Sequence, residues 1–140
     1  MAFKLERERT KTSPYVLIDE EKKYMKFEGK SYLEDIFTFF KEINEWLENY
    51  FRSGSAGSSA TGSAGGSSAE LTFDCEMEYF NSSTTKMIFN MLRTMDKAAG
   101  NGANVTVNWI TAEDDEMIIE CGEEFAEDME HLTFNMVTKG

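Results

Sequence analysis

Between Leu71 and Met95 the spacing of apolar side chains changes its period, so a strand there gives way to a helix. Leu71, Phe73, Cys75, Met77 and Tyr79 alternate with Thr72, Asp74, Glu76 and Glu78. Successive side chains on a strand point to opposite faces, so the pattern predicts a strand with one buried and one wet face. Met87, Ile88, Met91, Leu92 and Met95 then follow at helical spacing. Between the two lies Asn81-Ser82-Ser83-Thr84-Thr85, a row of residues that cap helices well. The chain therefore leaves a sheet, turns at Asn81 and enters a helix through a row of hydroxyls. That row has two readings. In one, Asn81, Ser82 or Ser83 caps the helix and does nothing else, and spacing alone favours this. In the other, the row is a phosphorylation switch. A phosphate there meets free N–H groups and the positive end of the helix dipole, with Lys86 about one turn further on to help hold it.

The chain has 140 residues, 41% of them hydrophobic, with eleven phenylalanines, which suits one domain with a real core. A net charge of −12 argues against nucleic acid or an anionic membrane as partners, since both need basic surface. It suits a partner with a basic patch. No apolar run approaches a membrane span, and the opening M-A-F-K-L-E-R-E-R-T lacks the apolar stretch of a signal peptide, so a cytoplasmic location is expected. Cys75 and Cys121 form no C-x-x-C pair, and each sits at an apolar position of its element. Two buried free thiols are expected.

Phe3 to Glu8 reads as a weak edge strand, and Pro14 closes the polar break after it. Tyr15 to Ile18 and Lys23 to Glu28 read as a hairpin, interrupted by Gly29-Lys30-Ser31. From Leu33 to about Phe51, Leu33, Ile36, Phe37, Phe40, Ile43, Leu47 and Tyr50 trace one helical stripe. Ser31 and Glu34 are spaced as a capping box for that helix. Residues 53 to 69 carry no charge and nothing larger than threonine, so they read as a flexible Ser/Gly-rich insertion within the single domain 1–140. After Gly100-Asn101-Gly102, Asn104 to Trp109 alternates as a strand. Met117 to Met129 reads as a helix with Ile118, Cys121, Phe125 and Met129 inward, and Leu132, Phe134 and Met136 as a last strand. The second half thus runs β-α-β-α-β, which implies parallel strands. Because the strands alternate, the expected architecture is α/β, a mixed sheet with helices on one face and the other face open to solvent.

The open face would carry Asp74, Glu76 and Glu78, yet no feature supplies the shared cleft that acid–base chemistry needs. Glu113-Asp114-Asp115-Glu116 lacks the spaced ligands and glycine of a calcium loop, and suits a helix start. His131 stands alone, so neither a zinc site nor a catalytic triad is indicated. No metal, cofactor or enzymatic activity is expected.

Several segments together resemble the SiaC-type regulatory phosphoproteins of bacteria, which are related in fold to the STAS domains of anti-sigma-factor antagonists. They are T-K-T-S-P, F-E-G-K-S-Y-L-E-D-I-F-T-F-F, W-L-E-N-Y, E-Y-F-N-S-S-T-T-K and D-D-E-M-I-I-E-C-G-E-E-F. The resemblance covers nearly the whole chain apart from the Ser/Gly-rich stretch. That family commonly has proline where Leu33 stands and threonine where Ser82 stands; the second change keeps a phosphorylatable hydroxyl. The resemblance implies a non-enzymatic partner switch, phosphorylated at Ser82 (with Ser83 and Thr84 as alternatives) and binding partners through Tyr79, Asn81, Ser82, Ser83 and Lys86. It implies a histidine-kinase-like Ser/Thr kinase, a PP2C-like phosphatase and a diguanylate cyclase target that the unphosphorylated form activates, raising cyclic di-GMP and promoting biofilm. The alternative it leaves is an anti-sigma-factor antagonist that binds a kinase acting also as anti-sigma factor. With the resemblance, the switch reading of the serine row leads.

Overall fold

The alternating stretches pair into a mixed sheet in the computed structural model, which describes residues 3–61 and 69–139, and side chains within 3–52 and 69–139. Strands β1 (Lys4–Arg7), β2 (Tyr15–Asp19) and β3 (Tyr24–Ser31) form an antiparallel meander. β4 (Glu70–Phe80), β5 (Asn104–Ala112) and β6 (Thr133–Lys139) then add one after another, each parallel to its neighbour, giving the order β1-β2-β3-β4-β5-β6. Helices α1 (Ile36–Thr61), α2 (Ser82–Gly100) and α3 (Glu116–Glu127) make the crossovers that parallel pairing demands.

One face of the sheet carries Val16, Ile18, Met25, Phe27, Phe73, Val107 and Trp109, all buried against the helices in one core with Phe40, Leu47, Ile88, Leu92 and Phe125. Each such side chain contributes about 1.5–3 kcal/mol of burial. The alternate positions, among them Tyr24, Lys26, Asp74, Thr106 and Asn108, stay half-buried on the far side. The expected one-sided α/β architecture is therefore present.

Local departures from the expectation each have a cause. β3 does not break at Gly29. It runs to Ser31, and the pairing of β3 with β4 slips one residue between Gly29 and Lys30, leaving Glu78 without a partner. Gly29 takes φ +117°, where a side chain would be strained. Beyond this bulge Tyr79 faces outward opposite Lys30, and Phe80 takes the inward position expected of Tyr79. α1 starts at Ile36, because Asp35 caps it by accepting from the N–H of Thr38 at 3.2 Å. Ser31 is instead buried in the sheet, bonded to Thr84. The apolar stripe of α1 buries Ile36, Phe40, Ile43 and Leu47, while Phe37 points outward. Cys75 is buried, but Cys121 is only half-buried, with Gly122 taking the close place against Trp109. α1 extends past Phe51 to Thr61, which no proline interrupts. The expected flexible insertion falls for residues 62–68 outside the described residues.

Candidate functional site

The strand-to-helix turn is built around Asn81. Its side-chain carbonyl accepts from the Thr84 N–H at 3.0 Å and from the Thr84 hydroxyl at 2.7 Å, and its amide donates to the Leu33 carbonyl at 3.0 Å. Its backbone N–H reaches the Ser31 carbonyl at 3.1 Å, tying the entry of α2 to the end of β3. Thr84 is fully buried and shares a 2.7 Å hydrogen bond with Ser31. Asn81 thus caps the helix, as one reading of the serine row requires. That leaves Ser82 and Ser83 exposed in the first turn of α2 with no capping duty. Thr84 reaches solvent only if this network opens.

A groove of about 380 Å³ runs beside these hydroxyls, lined by Ile36, Phe37, Ser82, Ser83, Lys86, Met87 and Asn90. It lies between the N-terminal turns of α1 and α2, so two positive helix ends converge there. Phe37 is 77% exposed, unusual for a phenylalanine without a partner. Asp35 complements the α1 end; the Thr38 hydroxyl and N–H hold its carboxyl below the usual range. Tyr79, released outward by the bulge, stacks on Tyr32 with ring centres 4.8 Å apart. Tyr32 also borders a second groove of about 560 Å³ with Arg9, Thr10, Lys11 and Lys30. Cations of a strongly acidic chain therefore gather next to the turn, where composition alone suggested an acidic contact surface.

The anticipated residues Tyr79, Asn81, Ser82, Ser83 and Lys86 thus share one end of the molecule, Lys86 exposed on the groove and Tyr79 half-buried beside it. Sequence reasoning placed Phe37 in the core and gave no role to Arg9, Lys11 or Lys30. The adjacent aromatics Tyr79-Phe80, which break the period of two, were the available signal for the bulge.

The acidic sheet face is a ladder of satisfied groups and not a cleft. Tyr24 donates to Asp74 at 2.7 Å, Asn108 to Asp74 at 2.8 Å and Asn135 to Asn108 at 3.0 Å. Burial, and then the Asp74 carboxylate, push the Tyr24 hydroxyl well above its ordinary range. Lys139 pairs with Glu76, and Arg9 with Glu78 at 3.2 Å. Among the described residues no three potential metal ligands come together, and no helix is long and apolar enough to cross a membrane.

Comparison with known proteins gives a consistent picture. The family model described as SiaC family regulatory phosphoprotein matches residues 7–139. An uncharacterized protein of Pseudomonas aeruginosa (strain UCBPP-PA14) is 24% identical over 119 residues, 85% of this chain and 84% of that protein. The solved structure of SiaC of Pseudomonas aeruginosa superposes with a TM-score of 0.80 at 22% identity, covering 98% of this chain and 99% of that one. A crystal structure of the diguanylate cyclase SiaD in complex with its activator SiaC, from the same organism, matches with a TM-score of 0.81 at 23% identity over 96% of this chain and 99% of that one.

Proposed function

From the premise that this chain belongs to the SiaC family of regulatory phosphoproteins, we propose that it is a non-enzymatic, cytoplasmic partner switch whose unphosphorylated form binds and activates a diguanylate cyclase. Phosphorylation of Ser82 by a histidine-kinase-like kinase releases the cyclase, and a PP2C-like phosphatase restores binding. The observation that carries this reading is the division of labour at the turn: Asn81 caps, so Ser82 is free to be modified without cost to the helix. The relative SiaC, solved in complex with SiaD as its activator, supports the choice of target class.

The physics of release follows from the groove. A phosphate adds about −1.5 to −2 charges. Ser82 and the exposed Phe37 line the same groove, so a partner that packs on Phe37 covers the hydroxyl too. Sealing a dianion under such an interface, with the single charge of Lys86 beside it, costs several kcal/mol, on the order of 100-fold in affinity. The fold need not change.

The test is incubation with the cognate kinase and ATP, site mapping by mass spectrometry, and titration of each form against the cognate cyclase. Phosphate on Ser82 with binding weakened about 100-fold is expected. Ser82→Ala keeps binding and resists the kinase; Ser82→Asp weakens binding less than phosphate, having one charge. Phosphate on Ser83 alone would move the switch one residue, and no phosphate in residues 82–85 would sink it.

A further inference from the structure

The two edges of the sheet are defended differently, and we propose that the undefended one, β6, docks a second copy of this chain by antiparallel β6–β6 pairing centred on Met136. An edge strand presents unpaired N–H and C=O groups, and proteins discourage strangers there with short strands, charges, prolines or bulges. β1 uses two of these devices. It is four residues long, and Lys4, Glu6 and Arg7 are charged. β6 uses none. It runs seven residues, T-F-N-M-V-T-K, and its register on β5 is unbroken from Thr106↔Thr133 to Ala112↔Lys139. Its one charge, Lys139, is tied to Glu76 of its own sheet face. Every residue of β6 except Phe134 is exposed, and Met136 and Val137 are each 39% exposed. Thr133, Phe134, Val137 and Thr138 are strand-favouring types, and the strand carries no pair of charges to repel a copy of itself.

The sequence of β6 selects the occupant, and its charge permits it. At −12 per chain, two copies repel over most of their surface. β6 carries no acidic residue, so it is an edge where they can meet. Its sequence is also complementary to itself. Pairing about Met136 sets Asn135 against Val137, Phe134 against Thr138 and Thr133 against Lys139, with no like charges opposed. Met136 meets its own copy on the two-fold axis, the closure that an isologous dimer requires. Met136 and Phe134 register with Trp109 and Val107, which belong to the helix-bearing face. The junction would therefore continue the apolar layer from one copy into the next.

Sedimentation velocity over a concentration series measures the association, which the net charge predicts to tighten as salt is raised. Met136→Lys sets two lysines face to face at the axis and is expected to weaken the dimer at least about tenfold. Met136→Cys is an independent check that tolerates any folding defect of the lysine variant. Directly opposed residues have Cβ atoms about 4.5–5.5 Å apart, so mild oxidation should link two copies through position 136 far faster than Met117→Cys, an exposed control. A wild-type chain that stays monomeric at the highest soluble concentration overturns the proposal, including the case where the edge pairs only with an extended segment of another protein. So does a dimer that survives Met136→Lys unchanged, or a position-136 cross-link no faster than the control.

Discussion

Asn81→Ala separates the cap from the phosphoacceptor. The substitution deletes the bonds to the Thr84 N–H, the Thr84 hydroxyl and the Leu33 carbonyl. Loss of the cap costs about 1 kcal/mol. The Leu33 carbonyl loses its donor in a half-buried place, worth about 1 kcal/mol more. The Thr84 hydroxyl keeps Ser31, so the buried group left without a partner is the Thr84 N–H, whose loss is the cap term already counted. The expected total is about 2 kcal/mol, and for a chain of this length that lowers the midpoint by roughly 6–10 °C. Asn81→Asp keeps the acceptor and gains from the helix dipole, but turns a carboxylate toward the Leu33 carbonyl, so about 1 kcal/mol is expected. Ser82→Ala removes an exposed hydroxyl with no capping duty and should stay within about 0.5 kcal/mol of wild type. Urea unfolding followed by far-ultraviolet circular dichroism reads all three. If Ser82→Ala costs as much as Asn81→Ala, Ser82 is structural and the division of labour is wrong.

Phe37→Ala should leave stability within about 0.5 kcal/mol, since the ring is 77% exposed, yet weaken binding to the cognate cyclase about tenfold or more by calorimetry. Gly122→Ala drives a Cβ to 2.4 Å from the indole of Trp109, which is pinned by its N–H to the Ile118 carbonyl at 2.9 Å. Overpacking of about 3 kcal/mol exceeds a helix-propensity gain of about 1 kcal/mol, so thermal unfolding should show a net loss near 2 kcal/mol. Partial burial works to raise the Asp96 carboxyl, but the N–H groups of His131, Leu132 and Glu130 outweigh it and hold the carboxyl below its ordinary range. Its stabilisation is therefore complete above the unfolded carboxyl range, near pH 4, and lost as pH falls through the lower folded value. The stability gap between wild type and Asp96→Asn, from urea titrations across pH, should be constant above about pH 5 and shrink below about pH 4; a gap that ignores pH refutes the assignment.

The fold was legible where one period rules a whole element. Leu71 to Met77 and Met87 to Met95 state their partners' faces unambiguously, and the parallel half of the sheet follows from the intervening helices. It was illegible where a remote residue competes. Ser31 reads as a cap until Thr84, 53 positions away, claims its hydroxyl in the sheet. Tyr79 reads as core until the slip opposite Gly29 turns it out, a matter of pairing between strands and not of either strand alone. The turn at Asn81 was visible because capping is local chemistry. Phe37 and the Arg9–Lys11–Lys30 cluster were not, since which helical flank stays uncovered, and which cations converge, depend on tertiary placement.

Strand order in the sheet repeats strand order in the chain. During synthesis each strand therefore emerges beside a template already laid down, and none has to be slotted between two finished neighbours. Growth at one margin means that each new pairing joins a strand to the one that precedes it in the chain. It also makes the links between strands free to vary in length, because a longer crossover delays the next addition without rerouting any other.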